Sequence, residues 1–276
     1  MNTVAQGELL KAEVKDHWNQ QSCGEGYAAT EAGLDLAQQE KARYALEPYI
    51  FDFAKFGEGR DRDVLEIGVG MGADHHMWAL AKPKSLTGVD LTPRAIEFTR
   101  ERFAAEGLTS DLRVSDAEAL PFQDETFDIV YSWGVMHHSP NTQQCFREAW
   151  RVLRPGGVAR IMVYNTYSLI GLMLWLRYGL LAGRPLRPMD DIYHHHLESP
   201  GTKAYRPEVA RQMMTAAGFS DVTCRIQLSH ADLLEGQVGV RHEAGLVRAA
   251  KALWPRGLLK RVAAGHGLFL LIEARK

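Results

Sequence analysis

The chain has 276 residues, 46% of them hydrophobic and 24% charged, which is enough for a sizeable core in one large domain or one domain with insertions. A formal net charge of -2 supplies no basic stripe of the kind nucleic-acid binders show, so nucleic acid is not expected as a partner. Cys23, Cys145 and Cys224 lie far apart with no CxxC spacing, which argues against a disulfide framework or a zinc site and favours reduced thiols in the cytoplasm.

Met1 to Glu8 lack the basic and apolar regions of a secretory signal, and the chain is expected to stay inside the cell. Helix-forming composition runs from about Val4 to Trp18 and again from Leu34 to Phe56, with the break Cys23-Gly24-Glu25-Gly26 between. Residues 1–60 therefore read as helices ahead of a main sheet. From Asp63 onward short apolar runs alternate with helical stretches: Val64 to Ile67, a helix over 73–81, Leu86 to Val89, a helix over 93–106, Leu112 to Val114, Phe127 to Ser132, a helix over 141–152, and Val158 to Tyr164. Such alternation predicts βαβ units around a parallel sheet. Arg154-Pro155-Gly156-Gly157 reads as the turn between the last of these helices and its strand. A helix over Arg206 to Ala217, a strand over Val222 to Leu228 and a final apolar strand, Leu268 to Ala274, complete the core at 205–228 and 265–276. Two inserts, 166–204 and 229–264, interrupt the 61–165 rhythm and read as a cap over an acceptor site.

The turn after the first strand, Glu66-Ile67-Gly68-Val69-Gly70-Met71-Gly72, carries a carboxylate and three glycines where a buried strand becomes a helix. Glycine there lets backbone N–H groups and a helix N-terminus approach a nucleotide-like cofactor closely. Gly70 followed by Ala73 satisfies dinucleotide spacing, so a nicotinamide oxidoreductase remains an alternative. An anion at Glu66 suits a cationic sulfonium amino acid better than a pyrophosphate. Asp90, about 20 residues beyond the glycines, stands where an acid accepts from both ribose hydroxyls, or else caps the helix starting near Pro93.

The stretches VLEIGVGMG, LTGVDLTPRAI, SDAEALPFQDETFDIVYS, GVMHHSP and RVLRPGG run in order from residue 64 to 157. In this combination the chain resembles the class I, Rossmann-like S-adenosylmethionine-dependent methyltransferases, a broad group that includes the quinone-biosynthesis C-methyltransferases. The resemblance implies an α/β fold with a seven-stranded, mostly parallel sheet, helices on both faces and a last strand running antiparallel beside Val222 to Gln227. It also implies S-adenosylmethionine as cofactor and S-adenosylhomocysteine as product. Glu66, Gly68, Gly70 and Gly72 would form the glycine turn, with Asp90 and Leu91 at the ribose. Asp116, Ala117 and Glu118 would meet the adenine, and backbone around Ser132 and Trp133 the methionine ammonium. Residues 1–60 would form a lid, with Trp18 and Tyr27 excluding water and facing the sulfonium, or simply packing in the core. Arg43 and Tyr44 are weaker candidates.

Methyl transfer from a sulfonium needs alignment first, and a base only when the acceptor must lose a proton. His137 and His138, at the C-terminal edge of the fourth strand, are the candidate bases, the alternative being that they fix the loop. His194-His195-His196 with Glu198 invites a metal, yet adjacent residues rarely point at one centre, so no metal is expected. Tyr193 and His194 to His196 are instead expected to line the acceptor pocket, or to form a polar surface loop. Ser168 to Ala182 reads as a capped helix, apolar nearly all round, which must be buried, form a homodimer face or touch something greasy. It is too short, and divided by Arg177, to span a bilayer. Arg241, Arg248, Lys251, Leu253, Trp254, Arg256, Lys260 and Arg261 make the second insert basic and amphipathic, suited to a peripheral membrane contact. A small, largely apolar acceptor is expected; an RNA or protein acceptor is the alternative.

Overall fold

The computed structural model describes residues 3–30, 33–235 and 254–276. Seven strands form one sheet: β1 (Asp63–Ile67), β2 (Ser85–Asp90), β3 (Asp111–Val114), β4 (Phe127–Trp133), β5 (Leu153–Tyr164), β6 (Ser220–Gln227) and β7 (Phe269–Arg275), in the spatial order β3-β2-β1-β4-β5-β7-β6. The first five pair in parallel, and β7 runs antiparallel to both neighbours, with Ile161 opposite Ile272 and Cys224 on its other side. The seven-stranded, mostly parallel Rossmann-like α/β class read from the sequence is the fold observed.

Central strands are largely apolar because both sheet faces are covered. Leu65, Val130, Ile161 and Ile272 point to one face, against Phe146 and Met214, while Val64, Ile129, Met162 and Leu271 point to the other, against Phe56 and Trp78. Around the sheet lie α1 (Thr3–Gln20), α2 (Leu36–Leu46), α3 (Tyr49–Ala54), α4 (Ala73–Leu80), α5 (Pro93–Ala105) and α6 (Thr142–Val152). Thr92 caps α5 by accepting from Ala95 N, and Asn141 caps α6 by accepting from Gln144 N.

Two local readings change. The single helix expected over Leu34 to Phe56 is two, because Pro48 has no N–H to give and its ring blocks the preceding turn, so α2 stops before Glu47 and α3 restarts at Tyr49. Arg154 to Gly157 is not a turn outside the strand but a bulge inside β5, since the register passes from Phe127 opposite Leu153 to Ile129 opposite Val158. Gly156 takes a φ of 79° there, and its N–H donates to Lys276 O.

The first insert holds α7 (Leu169–Trp175), continued by a π-turn over Leu176–Leu180, and α8 (Met189–His196). Ser168 caps α7 through Gly171 N. The helix expected to be buried, paired or greasy has Gly171, Leu174 and Gly179 inside and Leu172, Leu176 and Leu180 exposed. After α9 (Pro207–Ala216), the second insert links β6 to β7 and holds α10 (Arg256–Val262). Arg241, Arg248, Lys251 and Leu253 lie outside the described residues. Trp254 and Arg256 are turned inward, donating to Asp232 O and Leu233 O, which takes them out of the basic face read from the sequence. Buried Asp232 ties the two inserts together by also accepting from Ile170 N. Among the described residues, no helix is long and apolar enough to cross a membrane.

Candidate active site

A cavity of about 310 Å³ opens at the C-terminal ends of β1, β2 and β4, where open α/β sheets place their ligands. The turn after β1 forms its floor. Gly68 has a φ of 85°, and a Cβ there would meet Val135 Cγ2 at 2.0 Å; Gly70, with a φ of 53°, has no atom within 4 Å of that position and leaves backbone open to the cavity. Gly72 does not line the cavity: it starts α4 with a φ of 78°, packed against Thr99.

Glu66, Asp90 and Asp116 all line this one cavity. Glu66 Oε2 lies 2.9 Å from His75 Nδ1, and His75 Nε2 lies 2.8 Å from Ser110 Oγ. Burial holds the Glu66 carboxyl well above the usual range, helped by the charge of Asp74, and pushes His75 down to about 3. Asp90 accepts from Gly70 N at 3.1 Å and from Thr92 N and Oγ1 at 2.9 Å each, which fixes its carboxylate; burial raises it against those bonds. Asp116 accepts from Lys11 Nζ at 2.6 Å, a contact that pins α1 over the cavity. Burial would lower Lys11, but its bonds to Asp116 and Glu118 outweigh this and raise it.

Leu91, Ala117, Trp133, Trp18 and Tyr27 line the cavity too, whereas Glu118 and Ser132 do not. The Glu118 carboxylate is turned to Lys11, Ser139 and Asn141 N, and Ser132 is fully buried in β4. Arg43 gains weight. Its guanidinium donates to Asp74 at 2.9 and 2.7 Å, reaches Glu47 at 3.4 Å and faces the Trp133 ring from the cavity wall. Asp74 also accepts from Tyr44 and Tyr131, and Arg43 keeps it low despite burial.

Beyond the glycine turn the wall becomes aromatic and apolar, with Trp18, Met162, Tyr164 and Phe269. His138 lies there, edge-on to Trp18 at 5.3 Å, and burial pushes it down to about 3, so it is neutral. Two hydroxyls, Thr202 Oγ1 at 3.1 Å and Ser199 Oγ at 2.8 Å, hold its Nδ1, and its Nε2 points away from them. Glu198, 3.5 Å from that Nε2, accepts from Tyr164 OH at 2.7 Å and lines the cavity. His137 lies behind His138, fully buried and off the cavity surface, so it is not placed to touch an acceptor.

Tyr193 and His194 to His196 do not line the cavity. Tyr193 is core, its hydroxyl donating to Thr166 O. On α8 successive residues turn by about 100°, so the histidines diverge: His195 is exposed beside Asp191, and His196 stacks on Tyr178 at 3.8 Å. Glu198 was legible only as their neighbour. Arg43 with Asp74, Lys11 with Asp116 and Tyr164 with Glu198 had no sequence signal, because each pair joins residues 30 or more positions apart.

The fold and its crevice define a Rossmann-like nucleotide-cofactor domain. Residues 65–161 match the family model described as a methyltransferase domain. Over 134 residues the chain is 39% identical to the erythromycin 3''-O-methyltransferase of Saccharopolyspora erythraea, covering 47% of this chain and 41% of that one. It is 29% identical over 182 residues to a ubiquinone/menaquinone biosynthesis C-methyltransferase of Desulfotalea psychrophila, 62% of this chain and 71% of that one. A phosphoethanolamine N-methyltransferase of Haemonchus contortus, solved with S-adenosylhomocysteine, shares the fold with a TM-score of 0.62 at 16% identity, over 95% of this chain and 60% of that one. The chain thus spans less than half the length of the erythromycin relative. Residues 65–161 therefore match a methyltransferase domain, on a Rossmann-like fold shared with solved S-adenosylmethionine-dependent methyltransferases.

Proposed function

We propose that this protein transfers the methyl group of S-adenosylmethionine to a small, largely apolar acceptor. The observation that carries the reading is that Glu66, Asp90 and Asp116 share one cavity with the glycine turn, and that this cavity continues into a wall of Trp18, Met162, Tyr164 and Phe269. Asp90 would hold the ribose hydroxyls and Asp116 the adenine edge, once Lys11 yields it. Glu66 would face the cationic end of the cofactor. Arg43, fixed by Asp74, is suited to the methionine carboxylate.

The chain's part in the chemistry is alignment and exclusion of water. Residues 1–60 would act as the lid, since Lys11, Val14 and Trp18 of α1 form part of the wall. The inserts would act as the cap, contributing Glu198 and His230. His138, neutral and on the cavity wall, is a group able to take a proton there, a role His137 is not placed to fill directly. Exposed Leu172, Leu176 and Leu180 offer the surface through which the first insert would meet a bilayer holding a greasy acceptor.

Binding separates this reading from the nicotinamide alternative. S-adenosylhomocysteine is expected to raise the melting temperature and NADH is not. Labelled methyl transfer to a panel of hydrophobic alcohols, phenols and amines then identifies the acceptor class. Stabilisation by NADH alone would overturn the proposal.

A further inference from the structure

At the acceptor end of the cavity three groups with metal-ligand chemistry converge. His137, His138 and Glu198 each offer one ligand atom, and these atoms lie within 4.8 Å of one another. His138 Nε2 and Glu198 Oε2 are already 3.5 Å apart. Ligand atoms held at about 2.0–2.2 Å by a common ion stand roughly 3–3.5 Å from each other, so the remaining contraction falls on His137.

His137 is the informative residue. Its ring is fully buried, yet neither Nδ1 nor Nε2 has a hydrogen-bond partner. Burying an unsatisfied imidazole is unfavourable, and packing alone would be served as well by an apolar side chain. The ring lies between those of His138, at 4.2 Å, and Tyr164, at 4.0 Å, and can turn without losing a hydrogen bond. The other two groups are oriented from outside, as ligands usually are. Thr202 and Ser199 hold His138 Nδ1, leaving Nε2 directed at Glu198, and Tyr164 OH holds the Glu198 carboxylate.

We propose that His137, His138 and Glu198 bind a divalent transition-metal ion whose remaining positions face the cavity. Two imidazoles and one carboxylate suit Zn2+, Fe2+, Co2+ or Mn2+ and disfavour Mg2+ and Ca2+, which prefer oxygen. The charge of Lys203, whose Nζ donates to Ser139 O, opposes the ion, and the Glu198 carboxylate offsets it. The catalytic use of the ion rests on the methyl-transfer reading. The ion would make an acceptor hydroxyl more acidic, so that its proton passes to bulk solvent before the cavity closes; the oxygen would then attack the methyl carbon, forming a C–O bond as the C–S bond breaks and its electron pair leaves on sulfur. In that state His138 is a ligand and not the base.

The full chain, stripped with chelator, is titrated with Co2+ followed by its visible absorption and with Zn2+ by calorimetry. Compared are the wild type, His137→Ala, Glu198→Gln and a triple variant with alanine at 194, 195 and 196. One equivalent of metal is expected, weakened by about 100-fold or more in either site variant and unchanged in the triple variant. The S-adenosylhomocysteine thermal shift, measured on each protein, reports the cofactor site separately, so a failed metal site and a failed methyltransferase reading are told apart. Glu198→Gln keeps the acceptor for Tyr164 OH and carries the test if His137→Ala does not fold. Absence of stoichiometric Co2+ and Zn2+ binding, or binding lost in the triple variant and retained in Glu198→Gln, would overturn the proposal.

Discussion

Replacing Glu66 by Gln separates charge from shape at the base of the cavity. Ser110 Oγ gives its one proton to Leu86 O at 2.9 Å, so it accepts from His75 Nε2. Neutral His75 must then accept at Nδ1, and Glu66 is the donor, consistent with a carboxyl that burial holds well above its ordinary range. A cationic cofactor beside Glu66 lowers that pKa and drives the proton off. Cofactor affinity should therefore rise with pH, with net proton release, until the free carboxyl itself ionises. A glutamine amide can still donate to His75 Nδ1, so the fold should survive, but no charge develops. Losing one charge-assisted hydrogen bond of about 1.5–3 kcal/mol predicts binding weaker by about 10- to 150-fold. Calorimetry of S-adenosylmethionine binding in two buffers with different ionisation heats measures both quantities. The wild type should release a proton and Glu66→Gln should not. Wild-type affinity and undiminished proton release in the variant would refute the reasoning.

Asp90→Ala removes the acceptor proposed for the ribose and should weaken S-adenosylhomocysteine binding by about one to two orders of magnitude, from about 1.5–3 kcal/mol, read by calorimetry. His138→Ala should abolish turnover of an identified hydroxyl acceptor while leaving S-adenosylhomocysteine affinity within a few-fold of wild type; retained turnover would remove His138 from the chemistry. Arg43→Met leaves buried Asp74 with only Tyr44 and Tyr131 as donors, and should cost about 3–5 kcal/mol in urea unfolding, because a buried charge loses its partner. Leu176→Glu should reduce co-sedimentation with vesicles of anionic lipid without changing cofactor binding; equal sedimentation would discard the membrane contact.

Much of this architecture is legible in local spacing. Alternation of apolar runs and helical segments locates β1 to β5, and the glycine turn locates the cavity floor, because both depend on neighbours within a few residues. Pro48 and the Arg154 to Gly157 bulge were misread for related reasons: composition reports helix or turn tendency, but where a helix stops or a strand absorbs extra residues depends on pairing partners such as Lys276. The acceptor wall was the least legible part. Tyr193 and the three histidines look chemical in sequence, yet their helix turns them apart and buries Tyr193, whereas Glu198 two residues later reaches Tyr164 and His138 across the fold. Likewise Lys11 reaches Asp116 from a helix more than one hundred residues away, a contact no local pattern announces.

The central claim is that the three carboxylates on the cavity wall surround one adenosyl-sulfonium nucleoside. A crystal structure with S-adenosylhomocysteine tests it most directly. Asp90 should accept from both ribose hydroxyls, Asp116 should meet the adenine amino group with Lys11 displaced from it, and the methionine end should lie between Glu66 and Arg43. A nucleoside bound elsewhere, or Asp90 and Asp116 still turned to Thr92 and Lys11 with the ligand out of reach, would contradict the account.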